Sequence, residues 1–215
     1  MKTDQTHSIY NSFLKDTDPS RLQKIISRYE LFKNTINIDG DICECGVFKG
    51  SGFFTWVKFM KIFKKNSNSK VIGFDFFEKE RMANFKFKKD KELFEAHKDD
   101  FISQKEIINT CLNWGFKNIN LYAGNIEETS KIYASKNTNG GISLLYLDVD
   151  NYEGTLAALK NLYPIVKPGG VVAFDEYDDH NHGEYKAIDE FFKSEKSNIK
   201  SFDWDKSPTA YFIKK

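Results

Sequence analysis

Cysteine and proline are scarce: only Cys43, Cys45 and Cys111, and four prolines, occur in 215 residues. Cys43 and Cys45 alternate along one strand face without a second pair to complete a zinc site, so all three read as core residues from a reducing compartment. No apolar run approaches the roughly 18 residues of a membrane helix, and the start "MKTDQTHSIYNSFLKDTD" lacks the apolar core of a signal peptide. Net charge is nearly absent, since 32 basic and 31 acidic side chains leave +1. That balance argues against a general nucleic-acid or anionic-membrane surface, and the chain reads as cytoplasmic, with no membrane insertion. Internal repeats and low-complexity segments are also missing.

What is present suits a globular domain. Apolar types make up 40% and aromatics 15% of the chain, enough to bury a sizeable core in one domain over residues 1–215. Residues 1–38 form a helical lead-in, in which Asp18-Pro19 opens an amphipathic helix carrying Leu22, Ile25, Ile26, Tyr29 and Phe32 at helical spacing. A strand over 42–45, a glycine loop, a helix over 51–64 and a second strand ending at Asp75 then imply a right-handed parallel crossover. Residues 79–101 break this rhythm with dense charge and no clean strand, which fits a lid or insertion as well as a solvated helical face. Ser103 caps a helix with Glu106 in capping-box position, and "NINLYAGN" supplies a third strand. After the Asn139-Gly140-Gly141 turn come "ISLLYLDVD", a helix from Tyr152 that stops at Pro164, a "KPGG" turn and a fifth strand, "VVAFDEY". A helix with Ala187, Ile188, Phe191 and Phe192 follows. The tail alternates as two strands, about 198–204 and 209–214, around "DKSP". The sum is an α/β, Rossmann-like, doubly wound and mostly parallel sheet with an antiparallel C-terminal hairpin.

In such sheets ligands bind beyond the carboxyl ends of the strands, and Glu44, Asp75, Asp148, Asp150, Asp175 and Glu176 all fall there. The loop "ECGVFKGSG" brings bare backbone to a ligand at Gly46 and Gly50, yet Glu44 stands where a dinucleotide fingerprint would begin with glycine. A carboxylate there suits an ammonium better than a pyrophosphate, and Asp75 is placed to accept from ribose hydroxyls. Together these favour S-adenosylmethionine over a nicotinamide dinucleotide. If the fourth and fifth strands are neighbours, Asp148 and Asp175 end about 4.8 Å apart. Two carboxylates at about 5 Å repel by roughly 3 kcal/mol at an effective dielectric of 20. Either a proton is shared or a cation sits between them, and all-oxygen ligands favour Mg²⁺ before Ca²⁺ or Mn²⁺. Asp150 is the candidate base for a metal-acidified hydroxyl. His180 and His182 in "DDHNH" are alternative bases or ligands, or belong to a solvated loop.

These pieces resemble the macrocin O-methyltransferase family of class I, metal-dependent sugar methyltransferases. The resemblance rests on "GDICECGVFKGSG", "VIGFDFFE", "LYAGNIEET", "LYLDVDNYEGTLAALKNLYPIVKPGGVVAFDEY" and "KAIDEFF", and spans roughly residues 20–213. It implies S-adenosylmethionine held by the loop from Glu44 through Gly46, Val47, Gly50 and Ser51 to Gly52, by Asp75 and Phe76, and by Gly124, Asn125 and Ile126. It further implies Mg²⁺ (or Mn²⁺) on Asp148, Asp175 and Glu176, with Asp150 as general base. The chain departs from the family where Asp148-Val149-Asp150 replaces Asp-Gly-Asp, where Asp175-Glu176 replaces Asp-Asp, and after Glu78. The expected activity is methyl transfer to a hydroxyl of a sugar, nucleotide-linked or part of a surface glycan or secondary metabolite. Family likeness and the N-terminal helix are compatible with a homodimer. The competing readings are a nicotinamide-dependent sugar oxidoreductase and a non-catalytic protein that binds S-adenosylmethionine. The basic side chains Lys79, Arg81, Lys86, Lys88, Lys89 and Lys91 are candidates for nucleotide-sugar phosphates, or a solvated face.

Overall fold

The computed structural model describes residues 2–65, 67–78, 85–137, 140–204 and 207–215. Its helices are α1 (Lys2–Asp16), α2 (Pro19–Lys33), α3 (Ser51–Phe63), α4 (Lys88–Ala96), α5 (Gln104–Asn113), α6 (Ile126–Lys136), α7 (Tyr152–Leu162) and α8 (Gly183–Phe191). The strands are β1 (Asp41–Cys45), β2 (Val71–Asp75), β3 (Ile119–Ala123), β4 (Ile142–Leu147), β5 (Val166–Phe174) and β6 (Ala210–Ile213). They form one sheet in the order β3-β2-β1-β4-β5-β6, with the first five parallel and β6 antiparallel to β5. No helix among the described residues is long and apolar enough to cross a membrane.

Side-chain alternation along the strands divides the interior into two cores. Cys43, Cys45, Phe74, Leu145, Leu147 and Phe174 face one side and pack with Tyr133, Leu159 and Ile188 of α6, α7 and α8. Ile42, Val71, Leu144 and Tyr146 face the other and meet Leu31 and Phe32 of α2, Trp56 and Met60 of α3, and Ile107 of α5. The cysteines are buried and free, as core residues.

The caps act as the sequence implies. Asp18 accepts from Ser20 N–H at the start of α2, and Ser103 accepts from Glu106 N–H at the start of α5.

Three expectations change. The buried side of α2 carries Ser27, Arg28, Leu31 and Phe32, while Leu22 and Ile26 lie exposed; two cations on this helix turn inward, and acids in the interior offset their burial. "KPGG" lies inside β5 as an outpouching: Ile142 pairs with Val166 and Leu144 with Val171, so the extra residues loop out without ending the strand. Of the proposed tail hairpin, the run 198–204 contributes only an isolated bridge from Lys200 to Tyr211, and β6 takes β5 as its antiparallel partner. Asn139 and the Asp205-Lys206 part of "DKSP" lie outside the described residues, as do Lys79 and Arg81.

Candidate active site

The order of the strands reverses between β1 and β4, and a cavity of about 350 Å³ opens beyond their carboxyl ends. Backbone contact is closest here. Gly46 has φ +90°, and a Cβ on it would lie 1.7 Å from the Asp148 carbonyl oxygen, so the loop after β1 can cross the end of β4 only without a side chain.

Asp75 organises that loop. Its Oδ2 accepts from the N–H groups of Val47 and Phe48, each at 2.8 Å, and Oδ1 accepts from Phe76 N–H at 2.6 Å. Three of the roughly four lone-pair positions of the carboxylate are thereby used, leaving one for a ligand. Glu44, Gly46, Val47, Ser51, Asp75 and Phe76 line the cavity, and Gly124, Asn125 and Ile126 close its next wall. Asn125 caps α6 by accepting from Glu127 N–H at 2.9 Å. Gly50 stands behind this wall, packed against Phe54 and Ile102 at the start of α3.

Glu44 and Arg28 meet in the cavity floor. Both are almost fully buried, with Glu44 Oε1 and Arg28 Nη2 4.0 Å apart. A Cβ on Gly52 would fall 1.8 Å from Glu44 Oε1 and 2.9 Å from Arg28 Nη2, so that glycine makes room for the pair. The Arg28 guanidinium also lies 5.0 Å from the ring centre of Tyr146. Burial pushes the Glu44 carboxyl up to about 8 against the pull of Arg28. Glu44 Oε2 and Arg28 Nε have no hydrogen-bond partner among the described residues. A buried acid and base thus face the cavity with open hydrogen-bonding valences.

On the far side the acids gather. Asp148, Asp150 and Glu176 line the cavity, and Asp175 lies behind them. Asp175 is held by three donors: the Tyr146 hydroxyl and the Ser207 hydroxyl (2.9 Å) on Oδ1, and Lys24 Nζ at 3.3 Å on Oδ2. Burial first, then repulsion from Asp175 and Asp150, holds Asp148 well above the usual carboxylate range and lifts Glu176 to about 7. Asp150 is raised as well, mainly by burial, and its backbone has φ +57°, a conformation non-glycine residues seldom adopt outside functional loops. Among the described residues no three His, Cys, Asp or Glu side chains converge closely enough to hold a metal ion.

The sequence profile of the macrocin-O-methyltransferase (TylF) family matches residues 18–212. The chain belongs to this family. It is a methyltransferase. No match is found among curated proteins. The solved structure of the calicheamicin methyltransferase CalS11 superposes with a TM-score of 0.80, at 21% identity over 97% of this chain and 85% of its own. The O-methyltransferase NovP gives 0.72 at 20% identity, over 88% and 78%. An O-methyltransferase from Bacillus cereus in complex with SAH gives 0.52 at 14%, over 98% and 86%. These likenesses establish the class I methyltransferase fold.

In this macrocin O-methyltransferase relative, several site residues escape a reading of the strand ends. Lys24 and Arg28 reach the cavity from α2, although a cation on an amphipathic helix reads as solvated. Glu184, in the first turn of α8, is fully buried; its Oε1 accepts from Glu176 N–H at 3.1 Å and its Oε2 from Val149 N–H at 3.3 Å. One side chain thus ties the ends of β4 and β5 together. Asp90 of α4 is also fully buried, accepting from Gly183 N–H and Tyr152 N–H, each at 2.9 Å, and so pins α4 to the starts of α8 and α7. Phe85, Leu93, Phe94 and His97 from this segment line the cavity. Nothing in "KKDKELFEA" sets Asp90 apart from its charged neighbours.

The two loop histidines separate. His180 is exposed, edge-on to Tyr185 at 4.3 Å between ring centres. His182 is 1% exposed, which overturns the solvated-loop reading for it, and both its ring nitrogens lack a hydrogen-bond partner among the described residues. Burial lowers its pKa, while Asp150 and Asp90 pull the other way. Neither histidine lines the cavity.

Proposed function

We propose that the protein transfers the methyl group of S-adenosylmethionine to a hydroxyl of a sugar. The observation that carries this reading is a single cavity whose one wall is a glycine loop with a buried acid and base and whose other wall is a cluster of carboxylates. In the first compartment Glu44 would meet the α-ammonium of the donor, Arg28 its carboxylate, and the remaining lone pair of Asp75 a ribose hydroxyl. In the second, Asp150 takes the proton of the acceptor hydroxyl. Burial raises its carboxyl, which makes it a stronger base than an exposed aspartate. The hydroxyl oxygen attacks the methyl carbon in line, the carbon–sulfur bond breaks with its electrons going to sulfur, and S-adenosylhomocysteine is left. Positioning and the shaped field of the cavity supply most of the rate.

A sugar acceptor is supported by the family and by CalS11, described as a TDP-rhamnose 3'-O-methyltransferase. The segment 85–101 acts as the lid, roofing the cavity with Phe85, Phe94 and His97 and anchored by Asp90.

A divalent ion, Mg²⁺ first, belongs to the same proposal. The donor set suits it by chemistry, the ligands being all oxygen and burial first, then mutual repulsion, holding Asp148 and Glu176 above the usual carboxylate range; a bound ion would have to draw them closer than they now stand. Asp148, Asp175 and Glu176 would hold it, in competition with Lys24 at Asp175. When bound, the ion supplies charge neutralisation and eases ionisation of the acceptor hydroxyl.

The test is a methyl-transfer screen with radiolabelled S-adenosylmethionine over sugars and nucleotide sugars, with Mg²⁺ and with EDTA. Label transfer to a sugar oxygen is expected, and its loss in EDTA. Full activity in EDTA would overturn the metal, and transfer to no sugar would overturn the acceptor.

A further inference from the structure

Beside the main cavity lies a second one, about 480 Å³, and the two share Arg21 and Lys24 in their walls. These cations sit one turn apart on α2, and their side chains separate the acids of the reaction centre from a pair of aromatic rings. Lys24 marks the inner edge, since it bonds Asp175 at 3.3 Å with one of its three donors. Arg21, exposed, marks the outer edge. Beyond it Phe202 and Trp204 pack ring to ring, with centroids 5.2 Å apart and planes inclined by 38°. Gln23 of α2 donates to the Trp204 carbonyl at 2.7 Å, fixing this aromatic pair against the helix that carries the cations.

Outward from Asp150 come the carboxylates, then the two cations, then the two aromatic rings, with the exposed Asp203 between the rings in sequence. We infer that this shared groove binds the nucleoside diphosphate of a nucleotide-linked sugar, with the sugar at the carboxylates, the diphosphate at Lys24 and Arg21, and the base against Trp204. Each feature matches one part of such a molecule. The guanidinium offers the planar fork that phosphate oxygens take in pairs, and the ammonium a point charge beside it. Trp204, 43% exposed, offers an indole face that tolerates any base. A neutral free glycan would stack on the indole but would leave both cations without an anion. The cations expected for this role on the 79–101 segment include Lys89, which pairs instead with Asp179.

This inference rests on the proposed methyl transfer and is separated from it by titrating two ligands. Calorimetry with UDP and TDP, and with inorganic pyrophosphate as the control, is run on protein saturated with S-adenosylhomocysteine. The variants are Arg21→Ala, Trp204→Ala and Trp204→Phe, and S-adenosylhomocysteine is titrated into each. Expected are binding of a nucleoside diphosphate, a loss of about tenfold in Arg21→Ala and in Trp204→Ala, retention within about twofold in Trp204→Phe, and unchanged S-adenosylhomocysteine affinity. The inference fails if neither nucleotide binds, if both alanine variants bind as wild type does, or if pyrophosphate binds as tightly as the nucleotides. Failure of S-adenosylhomocysteine to bind wild-type protein would overturn the proposed activity instead.

Discussion

On the side of the cavity proposed for the donor, backbone does much of the shaping: Asp75 gathers the N–H groups of Val47, Phe48 and Phe76, and Gly46 lets the loop lie against the Asp148 carbonyl. On the side proposed for the acceptor the wall is side chain, with Asp148, Asp150 and Glu176 near one another and their repulsion offset in part by Lys24. On the first wall hydrogen bonds from fixed amides satisfy Asp75, while the buried Glu44 is pushed up to about 8 and faces Arg28. On the second, burial first and mutual repulsion second push the carboxyls upward, and Glu184 joins the two loops that carry them. Under the proposed function, affinity for the donor should depend on backbone shape and on the Glu44–Arg28 pair, and the reaction on the charge of the opposite wall.

Gly46→Ala attacks both sides at once. Its Cβ would collide with the Asp148 carbonyl at a backbone φ of +90°, so we expect loss of soluble folded protein, or destabilisation of at least about 2 kcal/mol by thermal unfolding with no measurable turnover. Asp150→Asn should divide the two sides: kcat falls about 10²-fold or more while S-adenosylhomocysteine affinity stays within about twofold. An equal loss in both would erase the distinction. Glu184→Gln keeps one acceptor and orphans one of two backbone N–H groups, and should cost about 1–3 kcal/mol in unfolding free energy and roughly tenfold in kcat.

The smallest effect is on pH dependence. Glu44 ordinarily titrates near 4.5 and is raised to about 8, so the folded protein holds a proton that the unfolded chain releases. Stability without ligand should be full below about 4.5 and decline as pH rises towards about 8; Glu44→Gln should flatten that decline in melting temperature. Binding of S-adenosylhomocysteine should strengthen over the same interval, because its ammonium favours the ionised carboxylate. A pH-independent affinity would remove Glu44 from the donor site.

Legibility in the sequence followed the same division. The glycine loop is a local feature, in which the residue and the backbone shape it serves are close in the chain; Asp75 was legible as an acid at a strand end, but not the N–H groups of Val47 and Phe48 that it holds from 28 and 27 residues away. Period-two and helical apolar spacing likewise indicated the five parallel strands, their helices and the caps at Asp18 and Ser103. The face of α2 was misassigned for a physical reason. A helix is expected to bury its apolar stripe, and only acids from β1 and the loop after β5 make it favourable to turn Arg28 and Lys24 inward. Asp90 and Glu184 were invisible because each is an ordinary surface-type acid that accepts from a backbone N–H on a segment distant in the chain: Gly183 and Tyr152 for Asp90, Val149 for Glu184.

The sequence by itself determined the doubly wound sheet, the family and which strand ends carry acids, since these depend on periodicity and on residue types beside the turns they make. Only the tertiary structure decided which acids face the cavity, which cations answer them, and that Asp175 is bound by Lys24, Tyr146 and Ser207. Burial and charge compensation are sums over neighbours in space, and no spacing along the chain encodes them.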